Sequence, residues 1–395
     1  MKNLDLAITC FTTVCALGTG RVAMIKALQS NQSGLVAQTI PGCSDTTYLG
    51  KVSGLDDVEI PQHLTAFDCR NNRLAEVTLL ADDFIGSVDQ AKKQFGANRI
   101  AVVLGTSTSG ASTGEEAYAQ QDEHSQFPSS FDYAHTQELS SLSSYVRERL
   151  GLTGLSYTIS TACSSSTKSF ADAALLISTG LADAVVVGGV DTLCGSSIRG
   201  FYGLELLSPT PCCPNDVTSR GISIGEAGGF ALLQRRNENT DIQLLGFGES
   251  TDAYHMSSPH PEGLGAEIAI QKALEMSGLN PNQIDYVNLH GTGSAANDQI
   301  EDKVITKILG TQVPVSSTKG WTGHTLGAAG IIDSAICFLA LEHSLIFGNL
   351  NLSTKNPAFQ SNIVKHTYDH PLQTVMTNNF GFGGNNCTLI FGQAS

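Results

Sequence analysis

Residues 157–166 read Tyr-Thr-Ile-Ser-Thr-Ala-Cys-Ser-Ser-Ser, a short β-branched strand that stops at a thiol and gives way to small polar residues of the kind that open a helix. From 164 to 179, Phe170, Ala174, Leu175 and Ile177 recur at mixed three- and four-residue spacing and Gly180 closes the run, which predicts a partly buried helix. Cys163 therefore stands at a helix N-terminus, where unpaired backbone N–H groups and the positive end of the dipole favour thiolate over thiol and depress the cysteine pKa. This makes Cys163 the candidate nucleophile, while the other nine cysteines read as small buried apolar residues. A nucleophilic thiol needs a base.

Two histidines can supply one. Asp285-Tyr-Val-Asn-Leu-His290-Gly-Thr-Gly-Ser294 is a strand ending on His290, and Val313-Pro-Val-Ser-Ser-Thr-Lys319-Gly-Trp-Thr-Gly-His324 is a second strand, with Lys319 in its exit loop and His324 opening a helix. Both loops leave the carboxyl end of a strand, the edge where layered α/β folds bind ligands. Glycines and small residues around both histidines let the backbone approach a ligand closely. The other eight histidines lack that setting and read as structural.

The chain has 395 residues, 41% hydrophobic and 15% charged, with 40 glycines, enough to bury a large core in one two-part domain or two domains. A formal charge of −15 argues against nucleic acid, because no basic stripe is present to neutralise phosphates. Ten scattered cysteines without Cys-x-x-Cys spacing point away from a disulfide scaffold or a metal site, and reduced cysteines imply a cytoplasmic location. The apolar N-terminal run Leu6–Leu17 reads as a first strand and turn leading into a helix at 21–29 rather than a signal peptide. Asp333 and Glu342 interrupt the longest apolar candidate for a membrane span.

Further strands are predicted at 99–106, 183–190, 229–234, 285–289, 313–317, 374–379 and 387–392, and helices at 265–277, 297–309 and 324–342. Strands separated by helices make this an α/β protein with helices packed on sheets. The run Ser-Thr-Ala-Cys163 entering helix 164–179 parallels Ser-Thr-Lys319 entering helix 324–342, the mark of an internal duplication. Segment 107–145, rich in Ser, Thr, Gly and Gln, is too long for a plain turn and reads as functional or as an interface.

Four strings, Ser-Thr-Ala-Cys163-Ser-Ser-Ser, His290-Gly-Thr-Gly-Ser-Ala-Ala-Asn-Asp298, Ser-Thr-Lys319-Gly-Trp-Thr-Gly-His324-Thr-Leu-Gly-Ala-Ala-Gly330 and Asn-Phe-Gly-Phe382-Gly-Gly-Asn-Asn386, resemble in order and spacing the four signatures of β-ketoacyl-acyl-carrier-protein synthases. The likeness runs from about residue 100 onward, and the region 214–228 resembles the loop before the middle strand of these enzymes. A Cys-His-His set is similar to that of the elongating, decarboxylating members; starter enzymes using coenzyme A carry Cys-His-Asn, and thiolases a second cysteine. The resemblance implies a thiolase-like fold, two similar βαβαβ halves in five α-β-α-β-α layers, with residues 1–240 carrying the nucleophile and 241–395 carrying the histidines.

It also implies roles. Cys163 would accept an acyl chain. His290 and His324, as neutral imidazoles, would stabilise the enolate left when malonyl-acyl-carrier protein loses carbon dioxide. The backbone N–H groups of Cys163 and Phe382 would form an oxyanion hole in the Gly381-Phe382-Gly383 turn, with Phe382 as a gate. Lys319 would raise thiolate character or hold its loop. Asp298 and Glu301 share a helix face; they could cap it, and the resemblance turns Glu301 towards a charge partner for Lys319. Asn379 and Asn385 stand where serine and threonine are usual in these enzymes, departures that bear on gating. Arg70 and Arg73 are the candidate carrier-protein contacts, because Glu205 stands where related enzymes offer a base. No cofactor or metal is implied, the substrates being carried on the phosphopantetheine of acyl-carrier protein. The partner would be a second copy or a chain-length-factor-like homologue, reached through strand 157–161 and segment 107–145. The short length, the N-terminus and Leu104–Gly110 look more like ketosynthases of aryl-polyene clusters. The rival readings are a non-catalytic chain-length factor, which lacks the cysteine, and a coenzyme-A-dependent thiolase or starter synthase.

Overall fold

Strands that are apolar on both faces must be covered on both faces, and Ile100–Gly105 and Ala184–Asp191 are fully buried along their lengths. Their alternation divides them between two cores: Val102, Leu104 and Val186 pack against the helices Arg70–Leu80, Phe84–Phe95 and Ser140–Arg149, whereas Val103, Val185 and Val187 face the middle of the molecule. The computed structural model describes residues 4–236 and 241–393.

In the first half, Ser156–Ile159, Ile100–Gly105 and Ala184–Asp191 run parallel, followed in the sheet by the antiparallel neighbours Ala227–Arg235 and Leu6–Cys15. In the second half, Pro314–Ser316, Tyr286–Asn288 and Thr374–Gly381 run parallel, followed by Asn385–Gln393 and Ile242–Thr251 with the same change of direction. The two join where Leu6, Ala7 and Ile8 pair with Leu244, Gln243 and Ile242. Between the sheets lie the helices Ser165–Ser178 and Ala329–His343, whose shared core includes Phe170, Ile331, Phe338 and Phe391. The helices Leu264–Ser277 and Ala295–Leu309 cover the outer face of the second sheet. These are the five layers of the thiolase-like architecture.

Three local expectations need correction. The helix read from 324 begins at Ala329. Gly323 at φ 73° and Leu326 at φ 53° leave helical geometry, and His324 is instead bound in extended fashion, its N–H donating to the Ser223 carbonyl at 2.7 Å and its carbonyl accepting from Gly225 N at 2.9 Å. The strand before Cys163 ends at Ile159, and Ala162 adopts φ 52°, turning the chain sharply at the thiol. Segment 107–145 carries its own structure, the helices Ala111–Ala119 and Tyr133–Gln137 and the start of Ser140–Arg149. Among the described residues the one apolar stretch long enough to cross a membrane is Leu326–His343, 89% buried in the central layer.

Candidate active site

Cys163, His290 and His324 converge from three different strand ends, their ligand atoms lying within 4.8 Å of one another. His324 Nε2 is 2.9 Å from Cys163 Sγ, and the His290 and His324 rings meet edge to face with centroids 5.3 Å apart. All three are buried. They open onto a cavity of about 490 Å³ that Phe380, Phe382, Phe201 and Thr292 also line. The Phe382 ring lies tilted against Phe201, with centroids 5.6 Å apart, and both rings line the same cavity as the thiol. Three such donors also suit zinc; a metal held there would occupy the sulfur lone pair that an acyl group needs.

Burial sets the protonation states. The Cys163 thiol is pushed up to about 11 by desolvation, which outweighs the lowering by the Phe382 N–H, the Lys319 ammonium and its own N–H. This corrects the thiolate expected from the helix terminus: the resting group is a thiol beside a neutral base. Desolvation, aided by Lys319, holds His324 down at about 3, and His290 lies well below its usual range for the same reasons, with His324 a further contributor. Both imidazoles are therefore neutral near pH 7. Their Nδ1 atoms have no partner among the described residues. The Cys163 and Phe382 N–H groups both face the sulfur, where an oxyanion forming on a bound thioester carbonyl would be met. Gly381 permits this closeness, since a Cβ there would stand 2.8 Å from Thr161 O and 3.2 Å from Cys163 N.

Lys319 is 1% exposed and its Nζ is 3.1 Å from Asp333 Oδ2. The same oxygen accepts from Asn379 Nδ2 at 2.8 Å, and Asn379 Oδ1 accepts from Thr167 Oγ1 at 2.6 Å. Two expectations change as a result. The charge partner of Lys319 is Asp333, not Glu301, whose carboxylate accepts the His290 and Gly291 N–H groups at 2.8 and 2.7 Å. Asn379 is buried in this network rather than placed at the gate, while Asn385 is half-buried beside Gly384. Asp298 likewise binds backbone, accepting from Gly293 N at 3.2 Å and Asn215 N at 3.0 Å. Desolvation raises both carboxyls, Glu301 to about 7.

Arg70 and Arg73 lie away from the cavity. Arg70 binds the buried Glu226 at 2.6 Å and Asp56 at 2.9 Å, and Arg73 binds Asp68 at 2.6 Å, so their guanidinium groups are engaged within the chain. Segment 107–145 contributes no side chain to the cavity; its Glu115 accepts the Gly195 N–H at 2.9 Å at the start of another helix.

Asp333 was legible as the single acid in the first three turns of its helix, where Ser334 is the one other polar residue, but only packing shows what it faces. Asp191 had no signal. It accepts from Thr106 Oγ1, Ser107 N, Thr108 N and Gly327 N at 2.5 to 2.9 Å, tying the loop after His324 to the first sheet.

The description "Beta-ketoacyl synthase, N-terminal domain" matches residues 85–239 and "Beta-ketoacyl synthase, C-terminal domain" residues 243–353. A 3-oxoacyl-[acyl-carrier-protein] synthase 2 of Vibrio cholerae is 31% identical over 99% of both chains. The mitochondrial 3-oxoacyl-[acyl-carrier-protein] synthase of Arabidopsis thaliana is 35% identical over 63% of this chain, which spans 59% of that enzyme's length. Among solved structures, the ketosynthase ApeO in complex with its chain length factor ApeC from Xenorhabdus doucetiae superposes with a TM-score of 0.91, at 39% identity and over 98% of both chains. Matches in both halves and a relative alike along its whole length agree with the thiol and paired imidazoles between the sheets: the chain belongs to the beta-ketoacyl synthase family.

Proposed function

We propose that this chain is an elongating ketosynthase that joins an acyl group held on Cys163 to the two-carbon unit of malonyl-acyl-carrier protein. The observation that carries the reading is the pairing of Cys163 Sγ with His324 Nε2 at 2.9 Å beside a second neutral imidazole, His290. In the first half-reaction the thiol proton passes to His324, sulfur attacks the donor thioester carbonyl, and the carrier thiol leaves with a proton. In the second, imidazole N–H groups hydrogen-bond the malonyl thioester oxygen as the carbon–carbon bond to the carboxylate breaks. The enolate so formed attacks the Cys163 thioester, releasing the thiolate and 3-oxoacyl-carrier protein.

No further cofactor is required by this chemistry, and a cytoplasmic setting suits ten unpaired cysteines. The likeness to ApeO, a ketosynthase bound to a chain length factor, supports an aryl-polyene-type ketosynthase working beside a homologue of its own fold. Intact-protein mass spectrometry with a panel of acyl-carrier proteins tests the assignment. One acyl adduct mapping to Cys163 is expected, with none on Cys163→Ala, and His290→Ala and His324→Ala should acylate yet lose most release of carbon dioxide from malonyl-carrier protein. An adduct on another cysteine, or undiminished release in both histidine variants, would refute it.

A further inference from the structure

We propose that Asn379 is a positioning residue for the reaction: its side-chain amide bridges the helix that opens beside the nucleophile to the Lys319–Asp333 ion pair, and so holds Cys163 Sγ against His324 Nε2. This rests on the ketosynthase reading above. Asn379 Nδ2 donates to Asp333 Oδ2 at 2.8 Å, and Asn379 Oδ1 accepts from Thr167 Oγ1 at 2.6 Å. All three side chains are buried. A carboxylate can only accept, so the amide has one orientation there, with its nitrogen on Asp333 and its oxygen on Thr167. Serine, usual at this place in the enzymes that the sequence resembles, carries no amide, so the bridge comes with the asparagine.

The bridge meets the reacting groups from three directions. Thr167 stands in the first turn of the helix Ser165–Ser178, which opens just beyond Cys163. Asp333 holds the Lys319 ammonium at 3.1 Å, and the charge of Lys319 favours the Cys163 thiolate and opposes protonation of His290 and His324. Asn379 itself lies on Thr374–Gly381, the strand that runs into the turn carrying the Phe382 N–H. Asn379, Thr167, Asp333 and Lys319 do not line the cavity, so any effect they have on the chemistry passes through the groups that do.

The neighbours bring no further charge to the bridge. Cys387 lies opposite Asn379 on the adjacent strand, and burial pushes its thiol up, as it does the Cys337 thiol and the Tyr286 hydroxyl near Asp333. All three stay neutral. Beyond Cys387, Lys168 and Glu249 pair with each other at 3.3 Å, and Asp172 accepts from the Tyr157 hydroxyl at 3.0 Å. Among the described residues the charged groups that face Asn379 are therefore Asp333 and Lys319. A carboxylic acid has the shape of the amide, with one O–H donor and one carbonyl acceptor, and reproduces both bonds only while it is protonated. An aspartate at 379 would thus serve as the bridge or repel Asp333 according to pH, because burial and a like charge raise its pKa.

The rate at which hexanoyl-acyl-carrier protein acylates Cys163, followed by intact mass from about pH 5.5 to about pH 8.5, tests the bridge in Asn379→Asp, Asn379→Leu and Thr167→Val. The Asn379→Asp rate should lie within about threefold of wild type at the acid end and fall to about a tenth of it or less at the alkaline end, as the acid ionises against Asp333. Asn379→Leu should be about tenfold slower than wild type at every pH, and Thr167→Val, which removes one of the two bonds, slowed by less. Because the bridge lies outside the cavity, these losses should appear at saturating donor, with the half-saturating concentration unchanged. An Asn379→Asp to wild-type ratio that does not change with pH, a wild-type rate in Asn379→Leu, or losses confined to half-saturation overturns the proposal. Where Asn379→Leu fails to fold by circular dichroism, a wild-type rate in Thr167→Val overturns it instead. Alkylation of Cys163 by iodoacetamide, mapped to its peptide, should follow the same ratios. That pattern in a chain whose wild-type Cys163 takes no acyl group would refute the ketosynthase reading and uphold the role of Asn379 in placing the thiol.

Discussion

At Cys163, position and burial act in opposite directions, and burial prevails: a thiol pushed up to about 11 stays protonated until His324 takes the proton. The imidazoles are neutral for the same reason, so carbon dioxide release should hold its rate as the pH is lowered from about 7 to about 5, where a free histidine would already be protonated. Stability should behave differently. In the unfolded chain His324 binds a proton near its ordinary 6.5, while in the folded protein it does so only near 3. Between those values the unfolded state holds more protons, so stability is complete above 6.5 and falls as the pH drops, by about 1.4 kcal/mol per pH unit for this residue. Urea unfolding at several pH values should show that slope together with a like contribution from the buried His290, and His324→Ala should reduce it without abolishing it. Lys319 and Asp333 make a second test, since both side chains are almost fully buried. Asp333→Leu leaves a buried ammonium unpaired and should cost about 3–5 kcal/mol, whereas the double variant Lys319→Met/Asp333→Leu should recover most of that loss. Urea midpoints of the wild type, both single variants and the double variant give the coupling; a double variant no more stable than Asp333→Leu would show that the ion pair is not the origin of the loss.

At the scale of elements, the site depends on how closely two helices meet. The helix Ser165–Ser178 begins two residues after the nucleophile, and Ile331 N of the facing helix donates to Ser166 Oγ at 3.1 Å. A Cβ at Gly330 would stand 2.4 Å from Thr167 N, a backbone atom that cannot swing aside. Gly330→Ala should therefore separate the helices, lower stability by about 1–3 kcal/mol, and reduce Cys163 acylation by moving the thiol from His324. Thermal unfolding and acylation rate measured on the same sample check it; a variant as stable and as active as wild type would show that the contact relaxes freely.

Across the whole molecule the sheet ends on Ser156–Ile159. Leu155 and Ile159 carbonyls accept from Val102 N and Thr106 N, so in a parallel ladder the odd residues face inward and Ser156 and Thr158 turn their N–H groups to the open edge. Such an edge is a template for another chain, and Leu155 beside it is 49% exposed. Thr158→Pro removes an outward donor without breaking a ladder bond to Ile100–Gly105. It should weaken association with a second chain of this fold, read as a lower mass by light scattering at unchanged circular dichroism. Unaltered association would place the interface elsewhere.

Strands, helices and the three reactive side chains were legible along the chain because each rests on local pattern: β-branched runs, apolar spacing, and glycines around Cys163, His290, His324 and Phe382. The helix 21–29 was placed to the residue, and most other boundaries to within two. What the pattern could not carry was anything set by burial or by contacts far apart in sequence. The Cys163 thiol depends on desolvation from all sides, the partner of Lys319 is chosen by which acid the packed helices bring within 3.1 Å, and Arg70 is drawn to a carboxylate 156 residues away. The helix expected from 324 failed for the same reason: backbone hydrogen bonds, one donated to the Ser223 carbonyl and one accepted from Gly225 N, hold His324 extended against its local preference. Local sequence determined the elements and the kind of chemistry. Only the tertiary structure decided protonation, pairing and access, because those energies arise from neighbours that the chain order does not place side by side.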